Sequence, residues 1–148
     1  MVEGKVFVDT NVLLYAFDAK EIEKRRVARE WMGWLWERAT GRLSWQVLIE
    51  FYVNALRAGL KESERQARET VRLYSTWRPL AVGAPLIDRA WYWRDKAQTS
   101  YWDSLILAAA EKEECAWLLS EDFQDGRKYG SVVVVNPFRT SFTKQPTA

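Results

Sequence analysis

The sequence predicts an α/β fold, a three-layer sandwich in which helices flank a central, mainly parallel sheet of about five strands. Two observations predict it. Short apolar runs at Val6–Val8, Ala116–Leu119 and Val132–Val135 are typical of buried strands in a parallel sheet. Segments with helical periodicity lie between these runs, and alternating strands and helices indicate right-handed crossovers that place helices on both faces.

The first half of the chain contains three predicted helices. Val12–Phe17 is short, whereas Glu21–Thr40 is a long amphipathic helix that Gly41 ends. A short strand is predicted at Leu43–Trp45. Gln46–Ala58 then has apolar residues at helical spacing, and we expect most of them, including Val53, to be buried.

The second half continues the alternation. Ser63–Trp77 is a charged helix with one apolar side, and Pro79–Val82 is a candidate strand. Pro85–Gln98 is helical, because proline is tolerated in a first turn, where its missing N–H forms no hydrogen bond. Tyr101–Cys115 is the most hydrophobic helix.

Composition indicates one domain, over residues 1–138, followed by a polar C-terminal tail over 139–148. The chain has 148 residues, of which 48% are hydrophobic, enough for a core without disulfides. The single cysteine excludes an internal disulfide and a zinc cluster and is typical of a reducing cytosol. We see neither a signal peptide nor a membrane span, and therefore expect a cytoplasmic protein.

The sequence contains no histidine. This absence excludes imidazole as a general base or a metal ligand, so catalysis would depend on carboxylates, hydroxyls, cationic side chains or an oxygen-bound metal ion.

The charged residues are unevenly distributed along the sequence. Residues 19–78 carry 13 Lys or Arg against 8 Asp or Glu, and residues 88–125 carry 4 against 9. Either the first region meets a polyanion while the second holds a cation, or both are solvated helix faces.

Four acids occupy unusual positions. Asp9 and Asp122 each follow a predicted buried strand within three residues, Asp103 begins a buried helix, and Glu50 lies inside another. Singly, each has a structural alternative as a cap, a turn residue or a partner of arginine. Together, converging carboxylates favour a divalent cation, and an all-oxygen ligand set favours Mg²⁺ or Mn²⁺.

Five stretches carry a family resemblance. They are V-F-V-D-T-N-V-L-L-Y at 6–15, L-I-E-F-Y at 48–52, S-Y-W-D-S-L-I-L-A-A-A at 100–110, L-L-S-E-D-F-Q-D-G at 118–126 and N-P-F at 136–138. In this order and spacing they resemble the PIN-domain nucleases, most closely the VapC-type toxin of bacterial and archaeal toxin–antitoxin pairs. The similarity covers nearly the whole chain.

The resemblance implies a metal-dependent endoribonuclease. Its implied catalytic acids are Asp9, Glu50, Asp103 and Asp122; Asp9, Asp103 and Asp122 would hold Mg²⁺ or Mn²⁺, and Glu50 would bind the ion or orient the attacking water. The implied supporting polar residues are Thr10, Asn11 and Ser100. Glu121 or Asp125 could share the role of Asp122. The implied partners are an RNA substrate, a second copy of the chain in a homodimer, and a cognate antitoxin whose tail covers the active site.

Two other enzyme classes place an acid after the first strand. A haloacid-dehalogenase-like phosphatase needs a second acid two residues later, where this chain has Asn11. Receiver domains need paired acids there, and V-F-V-D-T-N lacks the pair. A non-enzymatic domain that binds RNA or a protein, with structural acids, is the remaining alternative.

Arginines and tryptophans supply candidate contacts with partners. Nine tryptophans are present, and neighbours such as Trp34 and Trp36 cannot share one helix face, so some must project outward, where they could contact protein or stack on bases. The candidate phosphate contacts are Arg25, Arg26, Arg29, Arg42, Arg57, Arg65, Arg68 and Arg72.

Overall fold

The computed structural model describes residues 2–60 and 63–144, and its strands form a single five-stranded sheet. The strands are β1 (Val6–Val8), β2 (Gly41–Arg42), β3 (Trp117–Leu119), β4 (Lys128–Tyr129) and β5 (Val132–Val135). Their order is β2-β1-β3-β5-β4, and every pairing is parallel except that of β4 with β5. The predicted mainly parallel sheet is confirmed.

Six helices in the described residues connect and flank these strands. They are α1 (Thr10–Tyr15), α2 (Ile22–Arg38), α3 (Trp45–Arg57), α4 (Glu64–Ser75), α5 (Ala84–Ala97) and α6 (Tyr101–Lys112). Helix α1 begins two residues earlier than predicted, because the Asp9 side chain caps it by accepting a hydrogen bond from the Thr10 amide. No helix within the described residues is long and apolar enough to cross a membrane.

Two of the predicted strands, at residues 43–45 and 79–82, are wrong in detail. The strand predicted at Leu43–Trp45 lies earlier, at Gly41–Arg42, because Ser44 caps α3. The strand predicted at Pro79–Val82 is reduced to one bridge between Leu80 and Ser44. The antiparallel strand β4 was not predicted, since two residues are too few for a periodic signal.

The core packs helices against the sheet, and β1 and α6 are among its most buried elements. All three β1 residues are buried, and so are seven consecutive residues of α6, from Ser104 to Ala110. Contrary to prediction, Val53 of α3 is exposed (45%). In the predicted tail, the Phe142 ring stacks on Trp34 with 5.0 Å between centroids and meets Trp31 edge-on. Residues 145–148 of that tail lie outside the described residues.

Candidate active site

Asp9 lies at the carboxyl end of β1, at the edge where open α/β sheets place their ligand sites. Its Oδ1 accepts a hydrogen bond from the Thr10 amide (2.7 Å). Its Oδ2 accepts hydrogen bonds from Ser120 Oγ (2.7 Å) and Asn11 Nδ2 (3.1 Å). The residue is only 5% exposed. An uncharged set of donors therefore fixes this carboxyl group in a buried position.

Burial raises the pKa of Asp9 to about 7. The hydrogen bonds from Ser120 and Thr10 lower this pKa, but less than burial raises it, and the negative charges of Asp122 and Asp103 raise it further. The ionised form of Asp9 consequently lacks a compensating positive charge. A cation at this edge of the sheet would stabilise it.

Asn11 links Asp9 with Asp122 through hydrogen bonds. Its Nδ2 lies 3.1 Å from Asp9 Oδ2 and 3.1 Å from Asp122 Oδ2, while its Oδ1 accepts a hydrogen bond from the Glu121 amide (3.2 Å). One amide side chain thus connects the start of α1 with the loop after β3. The supporting role of Asn11 stays a prediction, with which these hydrogen bonds agree.

Ser120 was not among the predicted site residues. It is completely buried, its hydroxyl donates to Asp9 Oδ2, and its Oγ accepts a hydrogen bond from the Asp122 amide (3.1 Å). A signal was present in the sequence, because Ser120 directly follows β3. Since β3 pairs in parallel with β1, the residues that follow the two strands must be neighbours.

Glu50 comes to the site from α3. Its Oε2 accepts a hydrogen bond from Thr10 Oγ1 (2.9 Å), and its Oε1 accepts one from Gln46 Nε2 (3.2 Å). Gln46 Nε2 also donates to the main-chain oxygen of Trp102 (3.1 Å), which links α3 with the first turn of α6. Gln46 is therefore a second positioning residue that the sequence analysis missed.

Asp103 lies in the first turn of α6, half-buried. Ser100 caps this helix, its Oγ accepting a hydrogen bond from the Asp103 amide (3.1 Å). Burial raises the pKa of Asp103; the hydrogen bond from Ser100 lowers it, and the charges of Asp122 and Glu50 raise it. The charges of Asp122 and Asp103 act on Asp9, and those of Asp122 and Glu50 act on Asp103. The structure therefore brings all four predicted acids to one region.

The two neighbours of Asp122 have other partners. Glu121 forms an ion pair with Lys24 (2.9 Å), and Asp125 Oδ1 accepts a hydrogen bond from the Asn136 amide (2.8 Å). Asp122 is exposed, and it is the carboxylate of this loop that shares Asn11 with Asp9. The geometry therefore favours Asp122 over Glu121 and Asp125 as the fourth acid of the site.

The donor chemistry suits a hydrated divalent cation. Carboxylate and hydroxyl oxygens are the ligands that Mg²⁺ and Mn²⁺ prefer. Across residues 2–60 and 63–144, however, no three acidic side chains are close enough together to form a ready-made ligand set. Mg²⁺ usually keeps several of its waters and is bound directly through only one or two carboxylates, so an open arrangement of acids remains compatible with it.

The candidate phosphate contacts differ in availability. Arg26, Arg65 and Arg68 form ion pairs with glutamates of their own helices. Arg57 is exposed and, together with Asn11, lines a cavity of about 370 Å³. Among the predicted arginines, Arg57 thus lies in a cavity that it shares with a predicted site residue.

A mainly parallel α/β sheet with four carboxylates near its carboxyl edge defines an α/β protein with an acidic site. The family model described as "PIN domain" matches residues 6–127. The chain therefore belongs to the PIN-domain family, as the resemblance of its motifs predicted. A search of the curated proteins found no match.

Three solved structures with the same fold are similar to this chain. A toxin–antitoxin complex from Klebsiella pneumoniae has a TM-score of 0.67 at 21% identity, covering 90% of this chain and 98% of that one. The sarcin–ricin-loop-cleaving toxin VapC20 of Mycobacterium tuberculosis gives 0.58 at 23% identity, covering 80% and 92%. VapBC2 from Rickettsia felis, bound to a promoter DNA fragment, gives 0.63 at 14% identity, covering 90% and 97%.

Proposed function

We propose that this PIN-domain protein is the ribonuclease toxin of a toxin–antitoxin pair, and that it hydrolyses RNA phosphodiester bonds with the help of a divalent cation. The observation that carries the proposal is the gathering of Asp9, Glu50, Asp103 and Asp122 at the carboxyl edge of the sheet. The similar structures support it, since one is a toxin–antitoxin complex and another a sarcin–ricin-loop-cleaving toxin.

In this proposal Asp9, Asp103 and Asp122 hold Mg²⁺ or Mn²⁺. The bound ion would lower the pKa of water, polarise the phosphate and offset its repulsion by the acids. Asn11 and Ser120 hold the carboxyl group of Asp9 in one orientation, and Ser100 fixes the first turn of α6 that carries Asp103.

Glu50 has the geometry of a positioned proton acceptor. Thr10 and Gln46 each donate to one of its carboxylate oxygens, and each of these oxygens has a further lone pair. Glu50 would therefore bind the ion or accept a proton from the attacking water. Arg57 would contact a phosphate of the RNA from the adjoining cavity.

We further propose a cognate antitoxin partner, a homodimer and a cytoplasmic location. Exposed aromatic residues such as Tyr92 and Trp102 supply surfaces of the kind enriched at protein interfaces. Light scattering on the purified chain, alone and after coexpression with the antitoxin, measures both assemblies. A single-chain mass in both samples would contradict the two partner proposals.

Cleavage of RNA by purified protein, free of any bound inhibitor, tests the activity. A mixture of transfer and ribosomal RNAs is incubated with Mn²⁺ or Mg²⁺, with EDTA, and with the variants Asp9→Asn and Asp103→Asn. Asp88→Asn is the matched control, because Asp88 is exposed on α5. We expect discrete fragments that require metal, persist in the control and fall at least about 100-fold in the two site variants.

Cleavage that persists in EDTA or in both site variants would contradict the proposal. Binding of RNA without any cleavage would favour the non-enzymatic alternative. That alternative has one specific observation in its favour, the open spacing of the acids among the described residues. Calorimetric titration with Mn²⁺ separates the two, because structural carboxylates would bind the ion negligibly.

A further inference from the structure

A second cavity lies at the opposite edge of the sheet from the acids. It has a volume of about 400 Å³ and is bounded by the end of α2, strand β2 and the chain that follows α4. Gly41 pairs with Val6, the first residue of β1, whereas Asp9 follows the last. About 10 Å of strand therefore separate the level of this cavity from the acids.

Two aromatic rings line this second cavity, and a third packs against both of them. Trp36 and Trp77 line it, with ring centroids 5.5 Å apart, and Tyr74 packs against both at 5.5 and 5.1 Å. The Trp77 ring lies so close to Gly41 that a Cβ there would be 2.3 Å from it. Trp36 is nevertheless 40% exposed. A rigid tryptophan that keeps an open face is a suitable stacking surface for a base.

The lining charges of the cavity are all positive. Arg42 and Arg78 line it, and no acidic side chain is among its lining residues in the described part of the chain. Arg42 donates from Nη1 to the main-chain oxygens of Ala39 (3.1 Å) and Gly41 (2.8 Å), which fixes its guanidinium at the rim. Within residues 2–60 and 63–144, Arg78 forms no ion pair.

We propose that this cavity is a second RNA-contact site, which takes one unpaired nucleotide of the substrate. Its base stacks on Trp36 beside Trp77, and its phosphate pairs with Arg42 and Arg78. This inference rests on the proposed ribonuclease function and adds to it a contact distant from the scissile bond. Among the possible polymers, the combination of stacking faces and unopposed guanidinium groups favours single-stranded RNA over an apolar protein segment.

The site also uses part of the positive charge of residues 19–78, because Arg42 and Arg78 belong to that segment. The two lining tryptophans, Trp36 on α2 and Trp77 just after α4, lie in the same segment. An RNA long enough to reach both sites would contact Arg42 and Arg78 at the second cavity and the acids at the carboxyl edge of the sheet. Such an arrangement would favour folded RNAs with an exposed loop over short fragments.

Fluorescence anisotropy of labelled RNA tests the proposal on the full chain in EDTA, so that cleavage does not consume the probe. The probes are a single-stranded RNA of about 12 nucleotides and the duplex formed with its complement. We expect Trp36→Ala to raise the Kd for the single strand about tenfold. Trp36→Phe should keep most of the affinity, and Arg78→Gln should reduce the slope of log Kd against log salt by about 0.7.

Trp91→Ala and Arg94→Gln are the matched controls, because they remove the same side chains from exposed positions on α5. The inference is overturned if the controls weaken binding as much as the cavity variants, if the cavity variants bind like wild type, or if wild type binds neither probe. A change in oligomer mass without a change in Kd would instead identify a protein contact and also overturn it. Cleavage with Mn²⁺, measured in parallel, reports separately on the proposed function.

Discussion

At the scale of single residues, the site is built around a carboxyl group that its surroundings do not neutralise. Asp9 has three hydrogen-bond donors and no cation among the partners that the structure gives it, and its pKa is raised to about 7. Asn11 and Ser120 orient this group but supply no charge. The buried carboxyl group of Asp9 is therefore stable when it is protonated or when a cation binds it. Ionising it without a bound cation costs free energy.

The first prediction concerns the pH dependence of stability without metal. Because the pKa of Asp9 is higher in the folded chain than its ordinary value of 3.8, its contribution is fully present below about pH 4 and is lost as the pH rises through 7. We expect the free energy of unfolding by urea in EDTA to fall by roughly 3 kcal/mol between pH 5 and pH 8. Asp103, whose pKa is also raised, adds in the same direction.

Asp9→Asn should flatten this pH profile, since asparagine does not titrate, whereas Asp88→Asn should leave it unchanged. A wild-type profile that rises steadily from pH 5 to pH 8 would contradict the raised pKa.

At the scale of elements, the capped first turns of three helices position the acidic side chains of the site. Asp9 caps α1, Ser44 caps α3, which carries Glu50, and Ser100 caps α6, which carries Asp103. Each cap fixes where its helix begins, and therefore where the functional side chain lies relative to the sheet. Strand β2 pairs with β1 at the edge of the sheet, and its Gly41 packs closely against the Trp77 ring.

The second prediction compares two glycines. At Gly41 a Cβ would lie 2.3 Å from the Trp77 ring, so Gly41→Ala should destabilise the fold by about 1–3 kcal/mol. At Gly33, within α2, a Cβ would meet nothing within 4 Å, so Gly33→Ala should stabilise it by about 0.5–1 kcal/mol. Urea unfolding of both variants measures these changes, and equal effects of the same sign would contradict the close packing at Gly41.

At the scale of the whole molecule, the acidic site and the basic cavity lie at different edges of one sheet. The acids gather where the parallel strands end, while Arg42 and Arg78 lie near the beginning of β1. A net charge of only +2 conceals this division. The two edges would therefore respond differently to ions, the acidic edge to divalent cations and the basic edge to the salt dependence of RNA binding.

The third prediction concerns metal addition and removal. A ligand that binds the folded chain alone stabilises it, by about 2.7 kcal/mol at a concentration 100 times its Kd. We expect millimolar Mn²⁺ to raise the Tm by several degrees and EDTA to reverse the rise. Asp103→Asn should abolish most of the shift, whereas Asp88→Asn should retain it. An equal shift in all three proteins would indicate nonspecific binding and contradict the acidic metal site.

The sequence by itself determined the fold class and the approximate helices, because burial periodicity is a local pattern. It also singled out the four candidate acids, two that follow strands and two in buried helices. It also identified the PIN-domain family through motifs that keep their order. It did not predict Ser120 or Gln46 as site residues, strand β4, or the second cavity.

Only the tertiary structure decided these features. Ser120 meets Asp9 across 111 positions of sequence, and Gln46 meets Trp102 across 56. Such contacts depend on strand order and helix packing, since β3 must lie beside β1, and the first turn of α6 must lie near that of α3, before these groups can touch. The pKa of Asp9 belongs to the same category, because it is set chiefly by burial, which follows from the packing of the whole chain.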